Sequence, residues 1–343
     1  MDRMYGQLPS LAAGVPLLLA SSLALLCPTA SGQCNQSQGN ASLQLLGHPA
    51  ELNLVRLSTS GAANAPAMLL VDPVAGPTAS PFGTFCVGLS PALVGLLRLT
   101  NGGGTDKLTF GIPVLPGLPG TSYYFQSLVL DALAPNGGFA LSNGVALAVH
   151  PSTLLFAEDF ETYATGLSPT GGWVQYWGGP QIIVNPGPAS AQCLELHGAY
   201  CWSAVAYRPV PNLVGNVRLE FSASVPHLSP AGCGSDMCFF GFWNPPGGGC
   251  TWGCAHDFFQ FVSNGTILVS GATLPLLVQV DHWYRIAIQA DFTAGSFVLE
   301  IDGQLFGPFA GSQTQPAGIA FYAGHGAGPN PVLRLDDIRV MSQ

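Results

Sequence analysis

The sequence contains few charged residues. Only 8% of its 343 residues are Asp, Glu, Lys or Arg, and Lys107 is its single lysine. Soluble chains average roughly 25% charge, and helix surfaces normally carry Lys, Glu and Arg. This scarcity therefore argues for strands and turns. The net charge of −9 also disfavours binding to nucleic acid or to an anionic membrane.

Long hydrophobic runs are also lacking. The longest covers residues 11–26, which is 16 residues and short for a membrane span. It follows Arg3 and precedes the small residues Ala30, Ser31 and Gly32. Residues 1–32 therefore predict a cleaved signal peptide, with an uncleaved anchor as the alternative. A secreted protein, extracellular or associated with the cell envelope and without a further membrane span, is the expectation.

Glycine, proline and aromatic residues are abundant, with 44 Gly and 29 Pro. Between residues 33 and 150, short apolar segments are separated by turn clusters, which favours a small antiparallel β-sandwich. In the first of these segments, Leu52 and Leu54 are expected to share one strand face. The predicted strands cover residues 51–59, 67–71, 96–100, 108–114, 122–133 and 145–149.

The end of this region has a recognisable pattern. An aromatic-rich segment at residues 121–131 is followed by Ala134-Pro135-Asn136-Gly137-Gly138 and by Leu141-Ser142-Asn143-Gly144. The pattern resembles a repeat ending found in many secreted planctomycete proteins. This resemblance implies a secreted β-module and no particular activity.

Residues 151–343 contain a clear hairpin pattern. Tyr284, Ile286 and Ile288 alternate with polar or small residues, and a second alternating segment ends at Ile301. Asp302-Gly303 follows, which is a type I′ turn signal.

The hairpin belongs to a wider resemblance. His282-Trp283-Tyr284-Arg285-Ile286 and Ile301-Asp302-Gly303 resemble the penultimate hairpin of laminin-G-like and pentraxin-like concanavalin A jelly rolls. Asp159-Phe160-Glu161 and Leu335-Asp336-Asp337-Ile338 resemble the boundary motifs of such domains, including the MAM type. The resemblance implies an all-β chain in which a small sandwich precedes a jelly roll at residues 151–343. Most members of this family are binding or adhesion modules, and some relatives are glycanases.

Five carboxylates lie at the two ends of this second region. In the closing segment the apolar parity switches at Asp336-Asp337, which predicts either a β-bulge or an inward-pointing aspartate. If the first and last strands pair, the acids approach each other and need neutralisation. A structural Ca²⁺ ion is one solution, and solvent exposure or pairing with Arg334 and Arg339 is the alternative. The predicted ligands are Glu158, Asp159, Glu161, Asp336 and Asp337.

Signal cleavage would remove Cys27 and leave eight of the nine cysteines. In an oxidising compartment these predict four disulfides. We expect Cys34 to pair with Cys86, and Cys193 with Cys201. Cys233, Cys238, Cys250 and Cys254 form a local cluster whose three possible connectivities remain open. Zinc binding is the alternative for this cluster, although its spacing differs from paired zinc knuckles.

The loop that carries this cysteine cluster is rich in glycine and aromatic residues. Rigid loops that present flat rings suit sugars, so Trp243, Asn244, Trp252 and Asp257 are the predicted carbohydrate-binding group. Packing of both tryptophans beneath the loop is the alternative. Trp173, further upstream, is expected to belong to the core.

Catalytic signatures are absent from the sequence. There is no Gly-x-Ser-x-Gly, no His-Glu-x-x-His and no phosphate loop, nor the Glu-x-Asp-x-x-Glu arrangement of jelly-roll glycanases. Glu195 with His197, and His256 with Asp257, are the nearest acid–base candidates. The jelly-roll resemblance and the aromatic loop together favour non-catalytic carbohydrate binding as the function. A structural or adhesive surface protein that binds other proteins is one alternative, and a glycan hydrolase or lyase is the other.

Overall fold

The computed structural model describes residues 34, 37–80, 83–136, 138–176, 181–183, 190–198, 204–228, 236–243, 259–311, 315–324 and 330–343. In this part the chain is all-β, with 25 strands and no α-helix. The strands before residue 150, called the N-terminal strand set, are β1 Ser42–Leu46, β2 Leu54–Ser60, β3 Pro66–Asp72, β4 Ala75–Ser80, β5 Gly83–Val87, β6 Val94–Leu99, β7 Thr105–Gly111, β8 Ser122–Leu130, β9 Phe139–Leu141 and β10 Val145–Ala148. Those after it, the C-terminal strand set, are β11 Thr153–Glu158, β12 Val174–Tyr176, β13 Gln181–Ile183, β14 Cys193–His197, β15 Ala204–Pro209, β16 Asn216–Ser224, β17 Asp236–Trp243, β18 Phe259–Val262, β19 Thr266–Val269, β20 Ala272–Leu277, β21 Tyr284–Asp291, β22 Ser296–Ile301, β23 Gln304–Ala310, β24 Gly318–Ala323 and β25 Val332–Ser342.

The N-terminal strand set is an antiparallel sandwich. A three-stranded sheet, ordered β1-β2-β7, faces a five-stranded sheet with the path β10-β8-β3-β6 and β9 beside β8. Val55 and Leu57 from the first sheet pack with Leu69 and Phe125 from the second in one buried cluster. The hairpin β4-β5 packs Phe85 on the other side of the larger sheet.

The C-terminal strand set is a larger sandwich. Its eight-stranded sheet has the path β13-β14-β25-β16-β21-β22-β23 with β11 beside β25, and its seven-stranded sheet is ordered β12-β15-β24-β17-β18-β19-β20. The sheets share one core, in which Phe221 of β16 stacks on Phe240 of β17 with centroids 5.4 Å apart. Trp173 is also in this core, as expected. Among the described strands, no sheet combines members of the two sets.

The predicted hairpin is confirmed. Strands β21 and β22 pair from Ile286 with Ile301 to Asp291 with Ser296. Asp302 and Gly303 then connect β22 to β23 with φ of 47° and 79°. Both angles are positive, as a type I′ turn requires.

The expected face of β2 was wrong. Leu52 lies in a turn before the strand, with φ of 70°, and it is 42% exposed. The strand begins at Leu54, and its buried residues are Val55, Leu57 and Thr59, which have the opposite parity. Asn53 explains the shift: its side chain is fully buried and donates to the carbonyl of His48, which holds the preceding chain in a turn.

The closing strand has the predicted irregularity. Strand β25 pairs with β11 on one side and with β16 on the other, so the first and last strands of this set are neighbours. Pairing with β16 passes from Glu220–Arg339 to Ser222–Asp336, which leaves one extra residue on β25. Asp337 at this bulge has φ of 50°. The structure shows the bulge. Asp336 is fully buried, but it follows the core residue Leu335 in an alternating strand and therefore faces the opposite side of the sheet.

A buried polar network joins the two strand sets. Arg218 on β16 is 1% exposed and forms ion pairs with Glu220 and Glu300, at 3.2 and 3.0 Å. It also donates to Asn53 Oδ1 of the N-terminal set at 3.3 Å. The backbone N–H of His48 donates to Gln289 on β21 in the same region. Since an isolated buried charge is very costly, these partners hold the two sets together through Arg218.

No helix that could cross a membrane occurs in the described ranges.

Candidate functional site

The outer face of the seven-stranded sheet carries four aromatic side chains on three adjacent central strands. Side chains along β15, β24 and β17 alternate between the two faces of the sheet. Ala206, Phe321 and Phe240 point into the core. The intervening residues occupy the opposite face. The group called the aromatic face below consists of Tyr207, Phe239, Trp243 and Tyr322.

These rings form two edge-to-face pairs. Tyr207 and Trp243 have centroids 5.0 Å apart at 81°, and Phe239 and Tyr322 have centroids 4.9 Å apart at 81°. Such geometry places a hydrogen-bearing edge against a negative ring face. The Tyr207 ring also lies across Gly318, where an added Cβ would come within 2.7 Å of it. The same Cβ would come within 2.2 Å of the Arg208 carbonyl oxygen, so glycine at position 318 allows both the backbone and the ring to approach closely.

Access differs between the two pairs. Tyr207 and Trp243 are only 4% and 5% exposed. Phe239 and Tyr322 are half-buried, so part of each ring reaches the surface. Gln260 on β18 is paired in register with Phe239 and is also half-buried. The accessible part of this face therefore combines two rings with an amide that can donate and accept hydrogen bonds.

Only one of the four predicted carbohydrate-binding residues lies in the described part. Trp243 is the last residue of β17, and its ring packs against Tyr207. Asn244, Trp252 and Asp257 lie outside the described residues. The binding role of these four residues stays a prediction.

Phe239 and Tyr322 were not identified from the sequence. The segment Cys238–Trp243 is apolar on both faces, so alternation alone does not say which rings point outward. The outward side follows only from pairing with β24, where Phe239 is opposite Tyr322.

The carboxylate junction, consisting of the five acids predicted to bind calcium, lies at the β11–β25 edge. Glu158 turns towards aromatic donors there. Its Oε2 accepts from Tyr163 Oη at 2.8 Å and from Trp173 Nε1 at 3.2 Å, and its Oε1 accepts from the Phe160 N–H. Burial, together with the hydrogen bond to Glu158, raises the pKa of Tyr163 to about 12. Glu158 therefore organises the turn after β11.

Glu161 and Asp159 bind backbone groups. Glu161 Oε1 accepts from the N–H groups of Ala191 and Gln192, at 2.8 and 2.7 Å. Asp159 Oδ1 accepts from the Glu161 N–H at 3.2 Å. Glu161 thus connects the β11 turn to the segment that enters β14.

Asp336 is the buried member of the junction. Its Oδ1 accepts from the Asp337 N–H at 2.8 Å, and its Oδ2 forms a short hydrogen bond with the Ser190 hydroxyl. Burial raises the pKa of Asp336 to about 6, and the nearby charges of Asp337 and Glu161 add to the effect. The two hydrogen bonds act in the opposite direction without cancelling it.

Each of these acids except Asp337 already has protein donors, and they do not converge on one point. Within the described ranges, no group of three or more His, Cys, Asp or Glu side chains is placed to hold a metal ion. As described, the donor set does not fit an ion shared by all five carboxylates. Calcium binding here stays a prediction.

Glu195 and His197 form a contact on the outer face of β14. His197 Nε2 lies 2.7 Å from Glu195 Oε1, and Arg334 Nε lies 2.8 Å from Glu195 Oε2. Arg334 also lies 3.7 Å from Asp281. Because both oxygens of Glu195 are engaged, this arrangement is typical of a surface ion-pair network. The other acid–base candidate, His256 with Asp257, lies outside the described residues.

The described cysteines are free thiols: Cys34, Cys86, Cys193 and Cys238. Cys86 Sγ nevertheless lies 3.4 Å from the carbonyl oxygen of Cys34, so the expected partners are neighbours. Cys201, Cys233, Cys250 and Cys254 lie outside the described residues. The predicted disulfides stay predictions.

Comparisons with known proteins assign no family. No protein-family profile and no curated protein matches the chain. Among solved structures, a sialidase matches with a TM-score of 0.41 and 11% identity over 89% of this chain, which spans only 32% of the sialidase. The exoplasmic/lumenal domain of VIP36, in a form bound to Ca²⁺ and Man3GlcNAc, matches with a TM-score of 0.37 and 9% identity. The match covers 52% of this chain and 86% of the VIP36 domain. A structure of carbohydrate-binding modules from the β-sandwich superfamily matches with a TM-score of 0.31 and 10% identity. The match covers 89% of this chain and 99% of that structure's chain. Likenesses this weak assign no function to this chain.

Proposed function

We propose that this chain is a secreted or surface-associated, non-catalytic carbohydrate-binding protein, and that the aromatic face is its binding surface. The observation that carries the proposal is the pair of half-buried rings, Phe239 and Tyr322, on adjacent central strands of the seven-stranded sheet. Rings on regular strands are held in place before a ligand arrives, so little conformational entropy is lost on binding.

The chemistry of this surface suits a sugar. A sugar ring presents C–H groups on its faces and hydroxyls around its edge, and therefore needs an apolar surface beside hydrogen-bonding groups. Phe239 and Tyr322 provide the apolar surface, and the Gln260 amide provides hydrogen-bonding groups. A structural calcium ion at the carboxylate junction belongs to the same proposal, and the response of the melting temperature to calcium and to Asp336→Asn tests it separately.

A glycan array followed by calorimetry on any hit tests the binding proposal. We expect Phe239→Ala and Tyr322→Ala each to weaken binding by roughly 5- to 30-fold, because a stacked ring contributes about 1–2 kcal/mol. Trp283→Ala is the matched control. It also truncates a half-buried aromatic side chain, but one that precedes β21 in the opposite sheet.

Loss of affinity in both variants with retention in the control would support the proposal. The absence of any glycan ligand, or a ligand whose affinity is the same in all three variants, would contradict it. Release of reducing sugar that disappears in Glu195→Gln would instead favour the hydrolase alternative.

A further inference from the structure

Strand β6 is an open edge of the N-terminal strand set. In its sheet the path ends at β6, which pairs with β3 from Val94–Val71 to Leu99–Pro66. Within the described ranges no second strand lies on its other side. The backbone N–H and C=O groups along that side are therefore available to another strand.

This edge lacks the usual protection against pairing. Proteins normally protect an edge with Lys, Pro, a bulge or an inward-pointing charge. Strand β6 contains no proline, and its register with β3 is continuous. Its one charge, Arg98, is neutralised by Asp106 at 2.8 Å. The contrast is β7, an edge of the smaller sheet, which carries Lys107, the single lysine of the chain.

Apolar side chains are exposed beside this edge. Leu97 and Leu99 share one face of β6 and are 79% and 63% exposed. In register, Leu99 is opposite Pro66 on β3, and Leu97 is opposite Met68. Leu130 at the end of β8, 43% exposed, continues the face. Isolated exposed leucines are ordinary, but a row beside an open edge marks a contact surface.

The hydrogen bonds to β3 show which residues face the open side. The Thr100 N–H donates to Ala65 O. Because main-chain groups alternate in direction along an antiparallel strand, the N–H and C=O groups of Gly95, Leu97 and Leu99 point away from β3. These are the groups that a neighbouring strand would bind.

We propose that two copies of this chain associate through β6, antiparallel, about a two-fold axis at Leu97. This register sets Leu97 against the partner's Leu97 and Leu99 against the partner's Gly95. Each leucine then has either another leucine or an open glycine position opposite it. About six main-chain hydrogen bonds form, because all three outward-facing residues take part. The self-complementarity of the strand is what selects a second copy as the occupant.

Analytical ultracentrifugation across a range of concentrations tests the dimer. We expect Leu97→Lys to weaken association by roughly tenfold or more, since it brings two like charges together on the axis. The variant should still fold, because Leu97 is largely exposed. Leu133→Lys is the control, since Leu133 is 87% exposed but lies in the turn after β8.

A second measurement checks the register. Leu97→Cys should give an intermolecular disulfide between the two introduced cysteines, identified by mass spectrometry of the linked peptides. The expected Cα separation of about 5.5 Å in such a strand pair suits a disulfide. A monomer at all concentrations would overturn the proposal, as would a dimer that is unaffected by Leu97→Lys. These results are independent of glycan binding, which uses the other strand set.

Discussion

Replacing Asp336 with Asn should stabilise the protein at neutral pH. The carboxylate is fully buried, and its pKa is raised to about 6 from 3.8. That difference corresponds to about 3 kcal/mol, which solvent screening reduces to about 1–2 kcal/mol. Asn can keep both hydrogen bonds, accepting from the Asp337 N–H and donating to Ser190.

The effect should depend on pH in one direction. Because the pKa in the folded state lies above that in the unfolded state, the folded protein binds the proton more tightly between about pH 4 and pH 6. The cost of the buried charge is fully present above pH 6 and disappears as the pH falls towards 4. The advantage of Asp336→Asn should therefore be largest at pH 7.5 and nearly absent at pH 4.

Urea unfolding of both proteins at several pH values measures this difference. The two proteins must be compared at equal pH, because the titration of His48 changes stability with pH in the opposite direction to that of Asp336. Burial lowers the pKa of His48 to about 4, so its protonation reduces stability as the pH falls below about 6.5. That contribution is common to both proteins and cancels. Asp337→Asn is the comparison variant: it removes a neighbouring charge that adds to the raised pKa of Asp336, at a half-buried, left-handed position that Asn tolerates, so we expect a stabilisation smaller than that of Asp336→Asn.

The same variant tests the calcium hypothesis. If Asp336 binds calcium, the wild-type melting temperature should rise with calcium and fall with EDTA, and Asp336→Asn should lose that response. A variant less stable than the wild type at pH 7.5 in EDTA would refute the electrostatic reasoning, because no ion is then present to explain the loss.

Three further predictions concern other parts of the fold. Arg218→Ala should lower the free energy of unfolding in urea by about 3–5 kcal/mol, because Glu220 and Glu300 stay buried without their partner. Arg218→Met should also be destabilised, and a change below about 1 kcal/mol in either variant would show that the network contributes little to stability. Gly303→Ala should lower stability by about 1 kcal/mol and Gly303→Asn by less, because φ of Gly303 is 79° and Asn tolerates this conformation better than Ala. Thermal melts measure both losses, and equal losses would contradict the turn assignment. Glu195→Gln should leave glycan affinity within about twofold, since the Glu195 network lies on a different sheet from the aromatic face, and a larger loss by calorimetry would move the binding site.

Local patterns were sufficient for several elements. The hairpin from Tyr284 to Ile301 follows from alternation, and Asp302-Gly303 specifies a turn that needs two positive φ angles. The parity switch at Asp336-Asp337 indicated the bulge, because a change of buried face within one strand needs an extra residue. In each case the information lies within a few consecutive residues.

Other features depend on which strands become neighbours. Phe239 and Tyr322 are 83 positions apart in the chain, and each lies in a segment that is apolar on both faces, so only the pairing of β17 with β24 places them together. By its sequence alone, Arg218 is an ordinary polar strand position. Its burial depends on residues from distant segments, including Asn53 of the other strand set, to which it donates a hydrogen bond. Likewise, alternation cannot show that β6 is an edge, because sheet order is set by contacts between distant segments. Consecutive residues were enough to specify the β21–β22 hairpin, the Asp302-Gly303 turn and the bulge in β25, because these features depend on local alternation and backbone preference. Tertiary packing selects which rings reach the surface, which charges are buried and which edge stays open, because these depend on contacts between distant segments.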